Sequence, residues 1–411
     1  MKILLATSKI TPAGGGIASY NQELLKAFNQ CNTSFDCITE EDISEAAGVN
    51  QIITIKKRYS FSYEECAELL DWIKSNEYDL IVNSDSPVIS LLSSYIKVPI
   101  ISISHLVNGK FACIAGYNYN YLNNIVSLSC AGKKYIEKKF NIKDNNKVKV
   151  IYNFVNSDGC ILKEEKKNNK CKIIVFPGGT SPHKCFYTVI SAIKKLCKTN
   201  LEFQFYWIGN NKLPLSKFCL AGKLEDLLPL DNRIITTGII PRDLAISIIQ
   251  SANIFVLPSK TEGCPMTLLE AMQTGCIPIV SDAPHASEEI LRMGNFGKIV
   301  KSEDADSLYN AILDVLTNPI KYKEDYSKSF DFTNSKLSQS YWMSEMTSII
   351  YNAQNNANSK EYVDFEKKHF EENKNHFLKI MKVEIFRERL DRIRACIICN
   401  RLYINKLLGR M

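Results

Sequence analysis

Two doubly wound parallel sheets joined by a linker, an α/β architecture, are predicted for this chain from three observations. Short β-branched apolar runs alternate with longer amphipathic stretches along most of its length, the pattern of helices laid over parallel strands. Its 411 residues exceed one ordinary core and suit two domains. A polar stretch with no apolar period, NSDGCILKEEKKNNK (156–170), divides the runs into two series. With 45% apolar, 10% aromatic and 23% charged residues, most of the chain is expected to fold, because such area offsets the entropy of ordering.

The first series of strands is expected at 2–6, 35–38, 51–55, 80–83, 100–104, 125–129 and 148–152. The opening run MKILLATSKI reads as a buried strand, since one Lys, a short apolar run and no small-residue cleavage site do not make a signal peptide. The most apolar long window, Ser86 to Val107, is interrupted by Lys97, Pro99 and several serines and is not expected to span a membrane. The second series is expected at 172–176, 204–208, 234–237, 254–257, 277–281 and 297–300. Ligands of such sheets sit beyond the carboxyl ends of the strands, so the natural site is a cleft between two facing domains. The expected division is 1–160 and 161–335 for the two sheets, 336–355 for a helix returning to the first, and 356–411 for a polar, helix-prone tail.

The fourteen cysteines are scattered through apolar runs, which suits reduced core residues in a cytosolic protein. The one Cys-x-x-Cys, Cys396 to Cys399, has no second pair with which to build a zinc site and reads as part of an apolar helix face.

The loops after the strands carry the candidate chemistry. Gly14-Gly15-Gly16 follows the first strand and precedes a helix expected from Ile17 to Phe28; glycines there let backbone amides approach an anion at a helix start. The same loop also suits a flexible connection, and Asp36 sits about where a dinucleotide's ribose acid would. The Gly-x-Gly-x-x-Gly pattern is incomplete, however, with Ser19 at its last position. His105 follows the fifth strand, where both a structural and a site role are open. Pro177-Gly178-Gly179-Thr180-Ser181-Pro182-His183-Lys184 could hold a diphosphate on amides and an ammonium, or form an exposed turn.

Ser251 to Ser281 is the most informative stretch. A buried strand ends at Pro258-Ser259, a turn carries Glu262-Gly263, and Pro265 starts a short helix. Glu270 on that mostly apolar helix needs hydrogen-bond donors, for which sugar or ribose hydroxyls are suited. The amides of Met266, Thr267 and Leu268 offer an anion site at the helix start. An acidic cap with a salt-bridged Glu is the plainer alternative. Asp304 and Asp306 match an Asp-x-Asp metal motif only superficially, since acids opening a helix are explained by capping.

Taken together, Glu262-x7-Glu270 within PSKTEGCPMTLLEAMQTGCIPIVSD, the loop GGTSPHK, the amino-terminal GGG and the segment VKVIYNFVN with Asn153 resemble the retaining glycosyltransferases of family 4, of the GT-B fold. SYWMSEMTSIIY resembles that family's closing helix. The resemblance, from Met1 to about Asn355, implies two Rossmann-like domains facing across a cleft. It implies a nucleotide-diphospho-sugar donor on the second domain and a glycan or lipid-linked glycan acceptor on the first. By matched position Glu262 would contact the transferred sugar, Glu270 the ribose and Lys184 the diphosphate. Gly15 and Gly16 would lie against the donor phosphates, and His105 near the sugar. Transfer would be metal-independent and without cofactor, in the synthesis of a bacterial-type surface polysaccharide such as lipopolysaccharide O-antigen or capsule.

The family's loop Arg is replaced by Gly179: either Lys184 and the helix amides suffice, or another basic residue such as Lys260 or Arg242 substitutes, or activity is weak. A sugar-nucleotide epimerase and a catalytically silent scaffold subunit of the same fold remain the competing readings. The net charge of +7 lies largely in the tail: eight basic residues against three acidic ones from Lys382 to Met411. Ile385, Phe386, Leu390, Ile393, Ile397 and Ile398 recur there at helical spacing. A basic amphipathic helix on the inner, anionic face of the cell membrane and a helix packed on protein are both expected possibilities, with no nucleic-acid partner.

Overall fold

The computed structural model describes all residues except 12–14, 30, 56–58, 157–160, 163–170, 216–217, 356–360 and 409–411. Gly14, most of the expected linker and the extreme end of the tail therefore lie outside the described residues. The chain divides into two compact units, Met1–Asn153 with Gln339–Ile385, and Phe154–Ser338 with Phe386–Met411.

The first unit holds seven strands: β1 (Lys2–Thr7), β2 (Ser34–Thr39), β3 (Gln51–Thr54), β4 (Leu80–Asn83), β5 (Ile100–Ser104), β6 (Asn124–Ser127) and β7 (Val148–Val150). Every pair is parallel, in the order β3-β2-β1-β4-β5-β6-β7. Ile3, Leu4, Leu5 and Ala6 are fully buried, as a parallel strand covered on both faces requires. The last strand stops at Val150 because its ladder partner β6 ends opposite at Ser127.

The second unit holds β8 (Lys172–Phe176), β9 (Phe203–Ile208), β10 (Ile234–Gly238), β11 (Ile254–Leu257), β12 (Ile277–Ser281) and β13 (Lys298–Val300), in the parallel order β10-β9-β8-β11-β12-β13. All thirteen expected runs are thus strands. In each sheet the chain starts near the middle and winds both ways, reversing between β1 and β4 and between β8 and β11. Loops leaving the carboxyl ends at such a reversal diverge and open a crevice.

Within the tail one helix runs over Lys367–Leu407. Its first part buries Phe370, Phe377 and Met381 in the core of the first unit. Its last part buries Ala395 and Cys399 in the core of the second, with Ile398, Leu402 and Tyr403 against it. Cys396 is also buried, its sulfur 3.1 Å from that of Cys219. Among the described residues no helix is long and apolar enough to cross a membrane.

Candidate functional site

In the second unit the reversal brings together the loops after β8 and β11. Lys184 closes a short 3-10 turn, Pro182–Lys184, that ends on Cys185 in a left-handed conformation (φ 52°). Glu262 lies in the loop after β11 and is buried, as is Glu270 on the helix Met266–Met272. Lys184 Nζ lies 3.0 Å from Glu262 Oε1, which also accepts from Ser259 Oγ at 2.8 Å. Burial pushes the Glu262 carboxyl up, but the charges of Lys184 and His183 and the bonds from Lys184 and Ser259 outweigh it and hold it below its ordinary range. Burial pushes the imidazoles of His183 and His285 down, against the charge of Glu262. Glu270 accepts from Arg242 Nη2 at 2.7 Å. One edge of the sheet therefore carries two buried carboxylates, each held by a cation.

One of the amides expected to be open at the Met266–Met272 helix is already used. Leu268 N donates to the Pro265 carbonyl at 3.1 Å, because the first turn tightens to three-residue spacing. Met266 and Thr267 occupy the first turn, where amides have no acceptor within the helix.

Gly179 sits in a tight crossing with the loop after β9. Its φ is +51°, and a β-carbon there would lie 2.9 Å from both N and O of Asn210. No side chain fits that backbone, so an Arg is sterically excluded at this position. Of the two cations expected as substitutes, Arg242 lies on Glu270, whereas Lys260 Nζ is held by Glu303 at 3.0 Å.

In the first unit Gly15 (φ +76°) and Gly16 open the helix Gly15–Asn29 after β1, with open space where a β-carbon of either would be. His105 follows β5 and is buried, its Nε2 2.7 Å from Ser84 Oγ at the end of β4. Asn153, buried, ends this part of the chain. Asp36 is buried within the sheet, accepting from the Tyr78 hydroxyl at 2.7 Å with Lys2 Nζ 3.5 Å away. Asp304 caps the helix Ala305–Thr317, accepting from the amides of Asp306 and Ser307, and Asp306 pairs with Lys195. Among the described residues no group of three His, Cys, Asp or Glu could hold a metal ion.

Ser259, His285, Asn21 and Ser84 escaped the reading of the sequence as site residues. The signal for Ser84 was present, since it follows a strand at its carboxyl end as His105 does. Asn21, on a helix, gave none.

Among the described residues one side of the tail helix stays exposed in the second unit. Phe386, Leu390, Ile393, Ile397, Ile404 and Leu407 are all exposed, Phe386 at 61% and Ile397 at 64%. They recur at intervals of three, four or seven residues, one helix face, and Arg387, Arg389, Arg394 and Arg401 flank them.

Residues 161–329 match the family profile described as glycosyl transferases group 1. The chain is 29% identical over 224 residues to RfbU of Salmonella typhimurium, an O-antigen chain mannosyltransferase; the match covers 54% of this chain and 60% of that one. It is 30% identical over 125 residues to an Escherichia coli UDP-Gal:alpha-D-GlcNAc-diphosphoundecaprenol alpha-1,3-galactosyltransferase, covering 28% of this chain and 32% of that one. The fold is shared with HepE of Anabaena solved with UDP, at a TM-score of 0.68 and 15% identity over 85% of this chain and all of that one (100%).

Proposed function

Residues 161–329 belong to the group 1 glycosyl transferases on a chain of GT-B fold, and on that premise we propose that it moves a hexose-type sugar from a nucleotide-diphospho-sugar to a glycan acceptor with retention at the anomeric carbon. The buried pairs Lys184–Glu262 and Arg242–Glu270 at one sheet edge carry this reading. Glu262 takes hydroxyls of the transferred sugar and Glu270 those of the ribose. Lys184, with the first-turn amides of Met266 and Thr267, takes the diphosphate; in the first unit Gly15 and Gly16 offer a close approach to a donor phosphate, and His105 a contact to a sugar. The Gly179 turn lies beside Lys184 in the second unit, and Asn153 is a further candidate in the first. Both cations expected to stand in for the missing loop Arg are ion-paired, Arg242 with Glu270 and Lys260 with Glu303, and Arg242 is the one already attached to a proposed site carboxylate.

In the reaction the acceptor oxygen bonds to the anomeric carbon as the bond from that carbon to the diphosphate oxygen breaks. The acceptor proton passes to the departing phosphate, so no metal or cofactor is needed to balance the step. Charge develops on the leaving group, and preset amides and an ammonium aimed at it are the catalytic apparatus. The names of the two relatives, acting on O-antigen and on a diphosphoundecaprenol-linked sugar, support surface polysaccharide synthesis as the setting. Calorimetric titration with UDP-, GDP- and dTDP-sugars tests the donor. One of them is expected to bind, and Glu270→Ala to weaken it at least about tenfold, the loss of one charged hydrogen bond. Absence of binding to the panel, or unchanged affinity in the variant, overturns the reading.

The closed position of Gly179 also favours a second reading, a catalytically silent scaffold subunit. Sugar transfer by the isolated chain rejects it, and product analysis in the absence of acceptor separates transfer from epimerisation.

We further propose that the exposed stripe Phe386 to Leu407 rests on an anionic membrane, with Arg389 and Arg401 at the headgroups, Arg394 being held by Glu303 at 3.2 Å. Flotation with anionic vesicles is expected for the full chain and lost in Ile393→Gln/Ile397→Gln. Equal flotation of the two proteins, or self-association through the stripe in place of vesicle binding, overturns it.

A further inference from the structure

A chain of buried hydrogen bonds in the first unit runs in one direction only, and His105 stands at its end. It begins at the carbonyl of Lys9, which can only accept. Asn21 therefore turns its amide nitrogen toward it, Nδ2 donating to Lys9 O at 2.9 Å and to Thr7 Oγ1 at 2.7 Å. Thr7 can accept because its own proton has a carboxylate to go to, Asp85 Oδ1 at 3.0 Å. The Ser8 amide, 2.7 Å from the same oxygen, holds Asp85 in place.

With Nδ2 so committed, Asn21 Oδ1 is left facing Ser84 Oγ at 2.6 Å. A carboxamide oxygen has no proton to give, so the single proton of the Ser84 hydroxyl goes to Asn21. Ser84 Oγ is then an acceptor toward its other neighbour, His105 Nε2 at 2.7 Å. The ring proton is thereby fixed on Nε2. Burial pushes the imidazole down to about 4, against the smaller upward pulls of the Asp85 charge and the Ser84 backbone, so the ring is neutral near pH 7. Asn21 and Ser84 are themselves fully buried, so water does not offer either an alternative partner. Tyr20, next to Asn21 on the same helix, sets its ring edge-on to the imidazole, 5.1 Å between centroids at 76°, and limits its rotation.

We propose that Asn21 and Ser84 are positioning residues that lock His105 as its Nε2–H tautomer, leaving Nδ1 as a hydrogen-bond acceptor for a hydroxyl of the transferred sugar. His105 in this state neither donates to the leaving phosphate through Nδ1 nor supplies an acidic proton. The sugar contact rests on the reading of His105 given under the proposed function; the tautomer rests on the hydrogen bonds alone.

The test is a long-range 1H–15N correlation spectrum of the full chain labelled with 15N-histidine, at pH 7.5. His105 is identified by the signals missing in His105→Asn. A pyrrole-type Nε2 with a pyridine-type Nδ1 is expected; the reverse pattern, or an averaged one, overturns the lock. In Asn21→Leu the Ser84 hydroxyl is released to donate to Nε2. That variant is expected to shift the ring toward Nδ1–H and to lower kcat about tenfold with little change in donor KM, the loss of one hydrogen bond in the transition state. An unchanged tautomer in Asn21→Leu also overturns the lock. If that variant does not fold, Ser84→Ala and the wild-type spectrum decide. The expected tautomer together with unaltered turnover in His105→Ala would sink the sugar contact and leave the tautomer standing.

Discussion

Lys184 and Glu262 show how the site is held before any ligand arrives. Both side chains are largely buried, so removing the cation strands a carboxylate in a poorly solvated place. Lys184→Met is expected to lower unfolding free energy by about 3–5 kcal/mol in denaturant titration, whereas Glu262→Gln should cost less, since Lys184 keeps some access to solvent. Gly179→Arg, which restores the family's usual residue, is expected to destabilise the protein and not to raise turnover, because its β-carbon would meet the Asn210 backbone. His105 sets a pH dependence. Its folded value, about 4, lies below the ordinary 6.5, so between the two the unfolded chain binds a proton that the folded chain does not. The contribution is complete above pH 6.5 and lost as pH falls toward 4, by roughly 3 kcal/mol at most. Thermal or denaturant unfolding across that window should show a shallower decline in His105→Asn. Lys184 and Glu262 stood out in the sequence by their places in loops that follow strands, and Glu270 by its place on a mostly apolar helix. The pairings did not, because Ser84 meets His105 and Arg242 meets Glu270 only through strand order and helix packing.

The helix Lys367–Leu407 divides its apolar residues between two duties. Phe377 is buried in the first unit, and Phe377→Ala should cost about 3–5 kcal/mol by unfolding titration. Ile397 is exposed, and Ile397→Gln should change stability by less than about 0.5 kcal/mol. A chain ending at Asn355 would lose Phe370, Phe377 and Met381 from one core and Ala395 and Cys399 from the other. Substitutions on the exposed stripe are therefore the sound probe of what that face binds. Periodicity in the sequence foretold a helix here. It could not say which side is covered, because both sides carry apolar residues and only the packing partners tell them apart.

Across the chain, the excess charge of +7 is concentrated where the tail's exposed stripe lies. Vesicle binding by this face should therefore be electrostatic in part. It is expected to fall as salt rises from about 0.01 to 1 M, which shortens the screening length from about 30 to about 3 Å, and to be weak on neutral vesicles. Binding that is indifferent to salt and lipid charge would count against an anionic membrane.

Thirteen strands, two α/β units and the carboxylates Glu262 and Glu270 could be read from the amino-acid order alone, because burial on both faces and a strand-loop-helix signature are local patterns. Strand order is not local. It decided that the loops after β1 and β4, and those after β8 and β11, leave their sheets at a reversal, and that Asn21 reaches His105 through Ser84. It also closed the Gly179 turn against Asn210, where the sequence showed only a missing Arg. Contacts between residues tens of positions apart carry these outcomes, and such contacts exist only once the sheets have formed.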